Sequence, residues 1–421
     1  MRCGRTRGGL RYAVLRSGTA VGYCALTVGA GTRDEGPFPA GTAHFTEHTV
    51  FKGTRRRSAP VINGCLEKLG GELNAFTTKE EIVFHATVLK EDLRKAAGLL
   101  LELATEATFP PQAVDTERGV VIDEIVSFKD TPSDDVYDRF EEALFKGHSL
   151  GRLILGSPAS VRKITQEALE GFYRSRFTAG RMALTLVSDM DEGRMESLVM
   201  QLSDRYFPGS AGAGAPLLRR EAPLPSDTTE YVLPAAVPFE RVVEKRNHEA
   251  NAVIGGLAPG LYAGTERRVE TILLCNLLGG PASNSVLNSL LRERYGWVYG
   301  IECNYTQYAD CGVVAVSFGC ERANLEKCRR KIGEVLERYR ETLISPRRLQ
   351  AAARQLLGQL FISSTSGEAQ ALSMGKSLVV FDGVDTLEQT REAVLSVTAE
   401  GLRDRAAEIF DPSRLSHLIF L

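Results

Sequence analysis

Histidine is scarce in this 421-residue chain: there are six, and two of them, His44 and His48, stand four apart in Gly41-Thr42-Ala43-His44-Phe45-Thr46-Glu47-His48. Residues i and i+4 of a helix are separated by about 400° around the axis, so both imidazoles leave one face and can share one metal ion. Glu47 borders that face, offset enough to reach a metal-bound water rather than the metal. Zinc brings the pKa of such a water to about 7, and a neighbouring carboxylate can take its proton as the water attacks a polarised carbonyl. Peptide-bond hydrolysis needs those parts, together with a third protein ligand from elsewhere in the chain and a fourth position left open. Two histidines at this spacing are by themselves more often surface or core residues. With six in the whole chain, however, a chance H-x-x-E-H is a rare event.

The elements that must position this motif follow from local pattern. Arg11 to Arg16 and Val21 to Ala30 read as an opening strand pair around Ser17-Gly18. A helix is predicted over Gly41 to Phe51, and a second runs from Ser58-Ala59-Pro60 to Leu69, where Gly70-Gly71 ends it. Glu72 to Thr77 and Ile82 to Leu89 form the next strand pair, followed by helices over Glu91 to Glu106, Gln112 to Phe128, Val136 to Phe145 and Gln166 to Tyr173, then a strand over Arg181 to Ser188. Pro208 to Asp227 is rich in Gly, Ala and Pro without periodicity and reads as a linker at 208–227. Beyond it the order recurs: strand near Ala252 to Leu257, helix Glu266 to Leu278, strands Gly300 to Tyr308 and Gly312 to Gly319, helix Asn324 to Leu343. The expected architecture is α+β, with two homologous domains over 1–207 and 228–421.

Composition narrows the class. The chain is 43% hydrophobic and 25% charged, which excludes a disordered or fibrous protein. Its net charge is −2 with no basic cluster, which argues against a nucleic-acid partner. Eight cysteines without a C-x-x-C pair read as reduced core thiols. No signal-peptide pattern and no run approaching about 18 apolar residues is seen, so a soluble, cytoplasmic chain with no membrane partner is expected.

Around His44, Glu47 and His48 the chain resembles the M16 family of zinc peptidases, which includes insulysin, pitrilysin and the mitochondrial processing peptidase; its inverted H-x-x-E-H is the inverzincin order. The resemblance covers most of the chain. It implies a third ligand 76 residues after the second histidine, where Glu124 stands, closing the run Glu117-Arg118-Gly119-Val120-Val121-Ile122-Asp123-Glu124. It further implies one Zn²⁺ per chain on His44, His48 and Glu124, with Glu47 as the base. Glu117, two helical turns before Glu124 and on the same face, is then an assisting carboxylate.

Other stretches extend the resemblance. Phe51-Lys52-Gly53-Thr54 matches the family's continuation, and Gly70-Gly71-Glu72-Leu73-Asn74-Ala75-Phe76-Thr77 matches its substrate-pairing strand, which makes Asn74 and Ala75 substrate-binding candidates by β-augmentation. Leu291 to Tyr299 resembles the family's arginine and tyrosine motif, implying that Arg292 anchors substrate carbonyls and Tyr299 donates to the oxyanion. Thr46, Thr49 and Trp297 depart from the usual apolar residues, and Glu80-Glu81 extends the substrate strand with acid, an arrangement that would favour basic peptides. His85, His148, His248 and His417 have no ligand spacing and read as structural.

The implied activity is a zinc endopeptidase acting on short or unfolded peptides inside a closed chamber; the alternative is a non-catalytic assembly or partner subunit. Long family members carry four such domains, with zinc residues in the first and the Arg/Tyr motif in the last. This chain has two and so corresponds to half a clamshell. A homodimer is expected, each subunit's Arg292 and Tyr299 completing the other's zinc site, with a paralogous partner as the second option.

Overall fold

The computed structural model describes residues 1–209, 236–245 and 248–421. Residues 210–227 of the expected linker lie outside the described residues.

In the first half, β1 (Arg2–Arg5), β2 (Arg11–Arg16), β3 (Val21–Val28), β4 (Glu72–Thr77), β5 (Ile82–Leu89) and β6 (Met182–Ser188) form one sheet in the order β1-β2-β6-β3-β5-β4. Its helices are α1 (Thr42–Val50), α2 (Ala59–Glu67), α3 (Leu93–Glu106), α4 (Pro111–Lys129), α5 (Pro132–Leu144), α6 (Pro158–Val161), α7 (Gln166–Arg176) and α8 (Glu192–Tyr206). In the second half, β7 (Glu240–Val243), β8 (Glu249–Ala258), β9 (Val298–Gln307), β10 (Gly312–Glu321) and β11 (Ser416–Phe420) pair in the order β7-β11-β8-β10-β9. Here α9 (Thr265–Gly279), α10 (Leu325–Glu341), α11 (Pro346–Ser363), α12 (Gly367–Phe381), α13 (Leu387–Leu395) and α14 (Ala399–Ile409) follow.

The two sheets repeat one topology. With β1 set aside, β2-β6-β3-β5-β4 maps onto β7-β11-β8-β10-β9 strand for strand, including the single parallel pair in each, β2 with β6 and β7 with β11. The remaining neighbours are antiparallel, as hairpin connections require. In both halves the hairpin β4–β5 or β9–β10 leaves one strand, β4 or β9, at a sheet edge.

Packing crosses between the halves in a reciprocal way. α5 lies on the second sheet, where Val136, Phe140 and Leu144 meet Val253, Val313 and Leu418. α12, its counterpart in the second half, lies on the first sheet, where Ala371, Met374 and Leu378 meet Ala13, Ala25, Val83 and Ala183. Gly375 permits that approach: a Cβ there would stand 2.3 Å from Thr27 Oγ1. Covered on both faces, β6 is buried along its whole length, as a central strand between two helical layers should be.

The hairpin tips dock as well. Glu80, between β4 and β5, is ion-paired with Arg33 and accepts the Ala309 N–H at 2.9 Å, while Arg33 also pairs with Asp310. Lys79 pairs at 2.7 Å with Glu141, which accepts the Tyr308 hydroxyl at 2.8 Å. This corrects the reading of Glu80-Glu81 as an acidic substrate surface. Glu80 is turned inward against the second half, because a buried carboxylate needs a cation and backbone donors, and Glu81 faces Lys376 at 3.4 Å.

Local pattern also misses several elements, namely β1, β7, β11, α6, α8 and everything from α11 to α14. The thiols are free. Cys24, Cys275, Cys303, Cys311, Cys320 and Cys328 are buried as expected, whereas Cys65 is half-buried and Cys3 exposed. Among the described residues no helix is long and apolar enough to cross a membrane.

Candidate metal centre

α1 carries the motif and is held from its N-terminus. Gly41 precedes the helix at φ 93°, a left-handed conformation that favours glycine. The buried Glu35 carboxylate accepts the Gly41 and Ala43 N–H groups at 2.9 and 3.0 Å, satisfying donors that a helix start leaves open, and Arg152 pairs with it at 3.1 Å. Thr46 and Thr49, the departures from the family pattern, are fully buried and return their hydroxyls to the carbonyls of Thr42 and Phe45 one turn back. Their polar groups are thereby satisfied inside the helix.

α4 packs on α1 and brings Glu124 to the histidine face. Glu124 Oε2 lies 3.3 Å from His48 Nε2 and 3.7 Å from His44 Nε2, and all three ligand atoms fall within 4.8 Å of one another. Donors bound about 2.0–2.2 Å from a tetrahedral zinc stand about 3.3–3.6 Å apart, so the His48 separation lies in that range and the His44 separation, at 3.7 Å, just beyond it. Charge agrees with geometry: Glu47, Glu117 and Glu124 converge on two imidazoles, and the cation paired there among the described residues is Lys52. A divalent cation would neutralise that excess.

Protonation suits ligation at His44 and Glu124. Burial, then the neighbouring His48, pushes His44 down to about 4, leaving it a neutral imidazole at pH 7. Burial raises Glu47 above its ordinary range, opposed by the Thr77 hydrogen bond and His48. For His48 burial acts downward, but its hydrogen bond to Glu124, with Glu47 and Glu117 nearby, carries it upward overall. The His48 hydrogen bond holds Glu124 below its usual value.

A supporting layer surrounds these groups. Glu117 Oε2 lies 3.3 Å from His48 Nδ1, the nitrogen turned away from Glu124, and its other oxygen meets Lys52 Nζ at 2.7 Å. Such an outer carboxylate fixes the tautomer and aim of a ligating histidine. Thr77 Oγ1 donates to Glu47 Oε2 at 2.8 Å. Lys52 and Thr77 were given no role from sequence. The signals were present, since Lys52 follows His48 by one helical turn and Thr77 shares the Leu73-Ala75 face of its strand.

Asn74 and Ala75 sit on β4, whose outer edge is unpaired among the described residues and which packs beside α1. Arg292 and Tyr299 are exposed. Arg292 falls in a π-helical turn, Asn288–Arg294, and Tyr299 is the extra residue of a β-bulge, since Val298 pairs with Cys320 and Gly300 with Gly319. Among the described residues neither shares a hydrogen bond or ion pair with His44, Glu47, His48 or Glu124. Of the other histidines, His85 pairs with Glu368 at 3.0 Å and His148 Nδ1 accepts the Leu150 N–H. Both are structural.

Comparison with known proteins identifies the class. Residues 12–157 match the family model described as Insulinase (Peptidase family M16), and residues 163–356 match the Peptidase M16 inactive domain. The chain belongs to peptidase family M16. It is 31% identical over 374 residues to an uncharacterized zinc protease of Mycobacterium tuberculosis, spanning 89% of this chain and 82% of that one. It is 27% identical to the uncharacterized zinc protease YmxG of Bacillus subtilis, spanning 91% and 89%. A protease from Helicobacter pylori superposes with a TM-score of 0.86 at 19% identity, covering 100% of this chain and 98% of that one. A structure described as a peptidase M16 inactive domain from Pseudomonas fluorescens gives 0.84 at 19% identity, covering 100% and 97%. These last two show the fold.

Proposed function

We propose that the chain is a zinc-dependent endopeptidase whose metal is held by His44, His48 and Glu124. The observation that carries this reading is the convergence of three ligand atoms from α1 and α4, with a further carboxylate, Glu47 of α1, beside them and hydrogen-bonded to Thr77 of edge strand β4. Held by His44, His48 and Glu124, zinc would supply Lewis acidity toward a carbonyl and a water.

The protein's own groups do the rest. Glu47, raised by burial and aimed by Thr77, takes the proton from water and returns it to the leaving amine. The free edge of β4, at Asn74 and Ala75, pairs with an extended peptide through backbone hydrogen bonds, so selection favours short or unfolded chains over a particular side chain. Glu117, fixed by Lys52, steadies His48.

Arg292 and Tyr299 reach a zinc site in a two-fold homodimer, where those of one subunit face the cluster of the other and close the chamber. A paralogous partner carrying the same motif would serve equally. The second half lacks an H-x-x-E-H of its own, which suits a role in completing a site rather than housing one. A non-catalytic partner subunit is the less economical reading, since His44, His48 and Glu124 lie together and Glu47 stands on the same helix as the two histidines, which supports a metal site.

The test is a matched pair of measurements. Zinc-loaded wild type should cut an unstructured decapeptide, and Glu47→Gln should keep stoichiometric zinc while turnover falls by about 10³. A wild-type chain that takes up no zinc, or a Glu47→Gln variant with normal turnover, would overturn the assignment.

A further inference from the structure

Where α10 gives way to α11 the chain turns through Thr342 to Ser345 and encloses a cavity of about 170 Å³, with no residue of the zinc cluster in its lining. Two cations line it, Arg338 from the last turn of α10 and Arg348 from the first turn of α11, and no carboxylate does. Neither guanidinium has an ion pair among the described residues. Both side chains are exposed and lie over the Tyr339 ring, 5.5 and 5.8 Å from its centroid. The negative end of α10 accounts for Arg338. It does not account for Arg347 and Arg348, which stand at the positive end of α11, where cations are disfavoured.

Tyr339 supplies an independent sign of a ligand. It lines the cavity, is 7% exposed, and its buried hydroxyl has no hydrogen-bond partner. Arg338 approaches that hydroxyl, but a guanidinium only donates, so the phenol's own proton has no acceptor. Burial holds the phenol above its ordinary pKa against the pull of Arg348 and Arg338, and at pH 7 it keeps that proton. Buried donors are normally answered by a partner. The start of α11 repeats the lack of acceptors. Pro346 has no N–H, the N–H groups of Arg348 and Leu349 return to the Ser345 carbonyl, and the Ser345 hydroxyl makes no cap bond. The corner thus gathers two guanidinium groups, a phenol and a helix N-terminus around one small space.

We propose that this corner is a binding site for a small tetrahedral oxyanion, of which inorganic phosphate is the simplest. One oxygen accepts the Tyr339 hydroxyl, and the others accept from Arg338 and Arg348 as their exposed side chains turn from the ring to the ligand. Phosphate oxygens take several charge-assisted bonds at once, and the planar fork of arginine matches two of them. The positive end of α11 adds to the attraction. At about 170 Å³ the cavity lies below the range of pockets that enclose larger ligands, so it takes the anion alone. Bound there, the anion fastens the last turn of α10 to the first turn of α11. Because the attraction is electrostatic and its arginines are exposed, it weakens with salt.

The probe is inorganic phosphate, titrated by calorimetry into the full chain at constant ionic strength, before and after chelation of metal, so that phosphate held on a zinc ion is told apart. One saturable site per chain is expected in both forms. Tyr339→Phe keeps the ring and its packing but removes the unanswered donor, and should weaken binding about tenfold. Arg348→Gln changes an exposed side chain and should weaken it by about the same factor. Phosphate should also raise the Tm of wild type, and that increment should shrink in both variants. A variant that melts lower yet keeps the full phosphate increment would make the cluster a structural stack and overturn the site. So would an absence of saturable binding, binding lost on chelation, or variants that bind as wild type does. Acetate that binds as tightly as phosphate would rule out a tetrahedral ligand, and a phosphomonoester that binds more tightly would rule out the free anion. None of these outcomes bears on the peptidase reading, since neither Tyr339 nor Arg348 belongs to the zinc cluster.

Discussion

Thr77, the last residue of edge strand β4, donates its hydroxyl proton to Glu47 Oε2 at 2.8 Å, so the strand proposed to pair with a peptide also aims the carboxylate proposed as the base. Glu47 is 9% exposed, with few other donors to hold its rotamer. Thr77→Val should therefore lower kcat about tenfold, equivalent to about 1.4 kcal/mol, with KM and zinc content nearly unchanged. Thr77→Ser should restore most of the rate. A loss confined to KM, or no rescue by serine, would mean that Thr77 matters to the strand and not to the base.

Lys52 acts one step further from the metal. It anchors Glu117, which is 7% exposed and faces His48 Nδ1, so removing the ammonium leaves a buried carboxylate without its cation. Lys52→Met should weaken zinc binding about tenfold in competition with a chelator, in line with other outer-layer substitutions. Unchanged zinc affinity in a folded variant would reduce Lys52 to a surface charge.

The proposed two-fold arrangement predicts complementation. Glu47→Gln and Tyr299→Phe homodimers should each be nearly inactive. After mixing and subunit exchange, half of the dimers are hybrids, and one of their two sites pairs an intact Glu47 with an intact Tyr299. Activity should return to about a quarter of wild type. A mixture that stays inactive while sedimentation shows hybrids would place Arg292 and Tyr299 beside the zinc site of their own chain.

Glu35 makes stability depend on pH. Burial pushes its carboxyl up to about 7, against the pull of the Ala43 N–H and Arg152. A folded-state value above the unfolded one favours the folded state fully below about pH 4.5, and that contribution is lost as pH rises through about 7. Between those limits it amounts to roughly 3 kcal/mol. Glu35→Gln keeps an acceptor for Gly41 and Ala43 but does not titrate. Denaturant unfolding at pH 5 and pH 8 should show wild type losing more stability than the variant across that interval; parallel losses would show that Glu35 is already ionised at pH 5.

The zinc motif was legible in the chain because i,i+4 geometry is local: once His44 to His48 is helical, both imidazoles must share a face. Glu124 was reached by family spacing, since nothing local says that a helix over 111–129 will cross a helix over 42–50. The duplicated order of elements was legible in outline, whereas the exchange of α5 and α12 was not. Each helix is amphipathic in the ordinary way, and its partner sheet is chosen only when both halves have formed.

Glu80 shows the same limit at one residue. In the chain it is an acid beside a substrate strand. In the fold it is ion-paired with Arg33 and takes the N–H of Ala309, because the docking of two hairpin tips removes it from water and demands partners. Residue type and short spacing thus pointed to the histidine pair and its neighbouring carboxylate, properties of one helix, while the family resemblance pointed to the strand over 72–77 as the substrate edge. Long-range packing established the third ligand's approach and the hold of Thr77 and Lys52 on the site. These depend on which surfaces meet, and that is fixed by burial summed over the whole molecule.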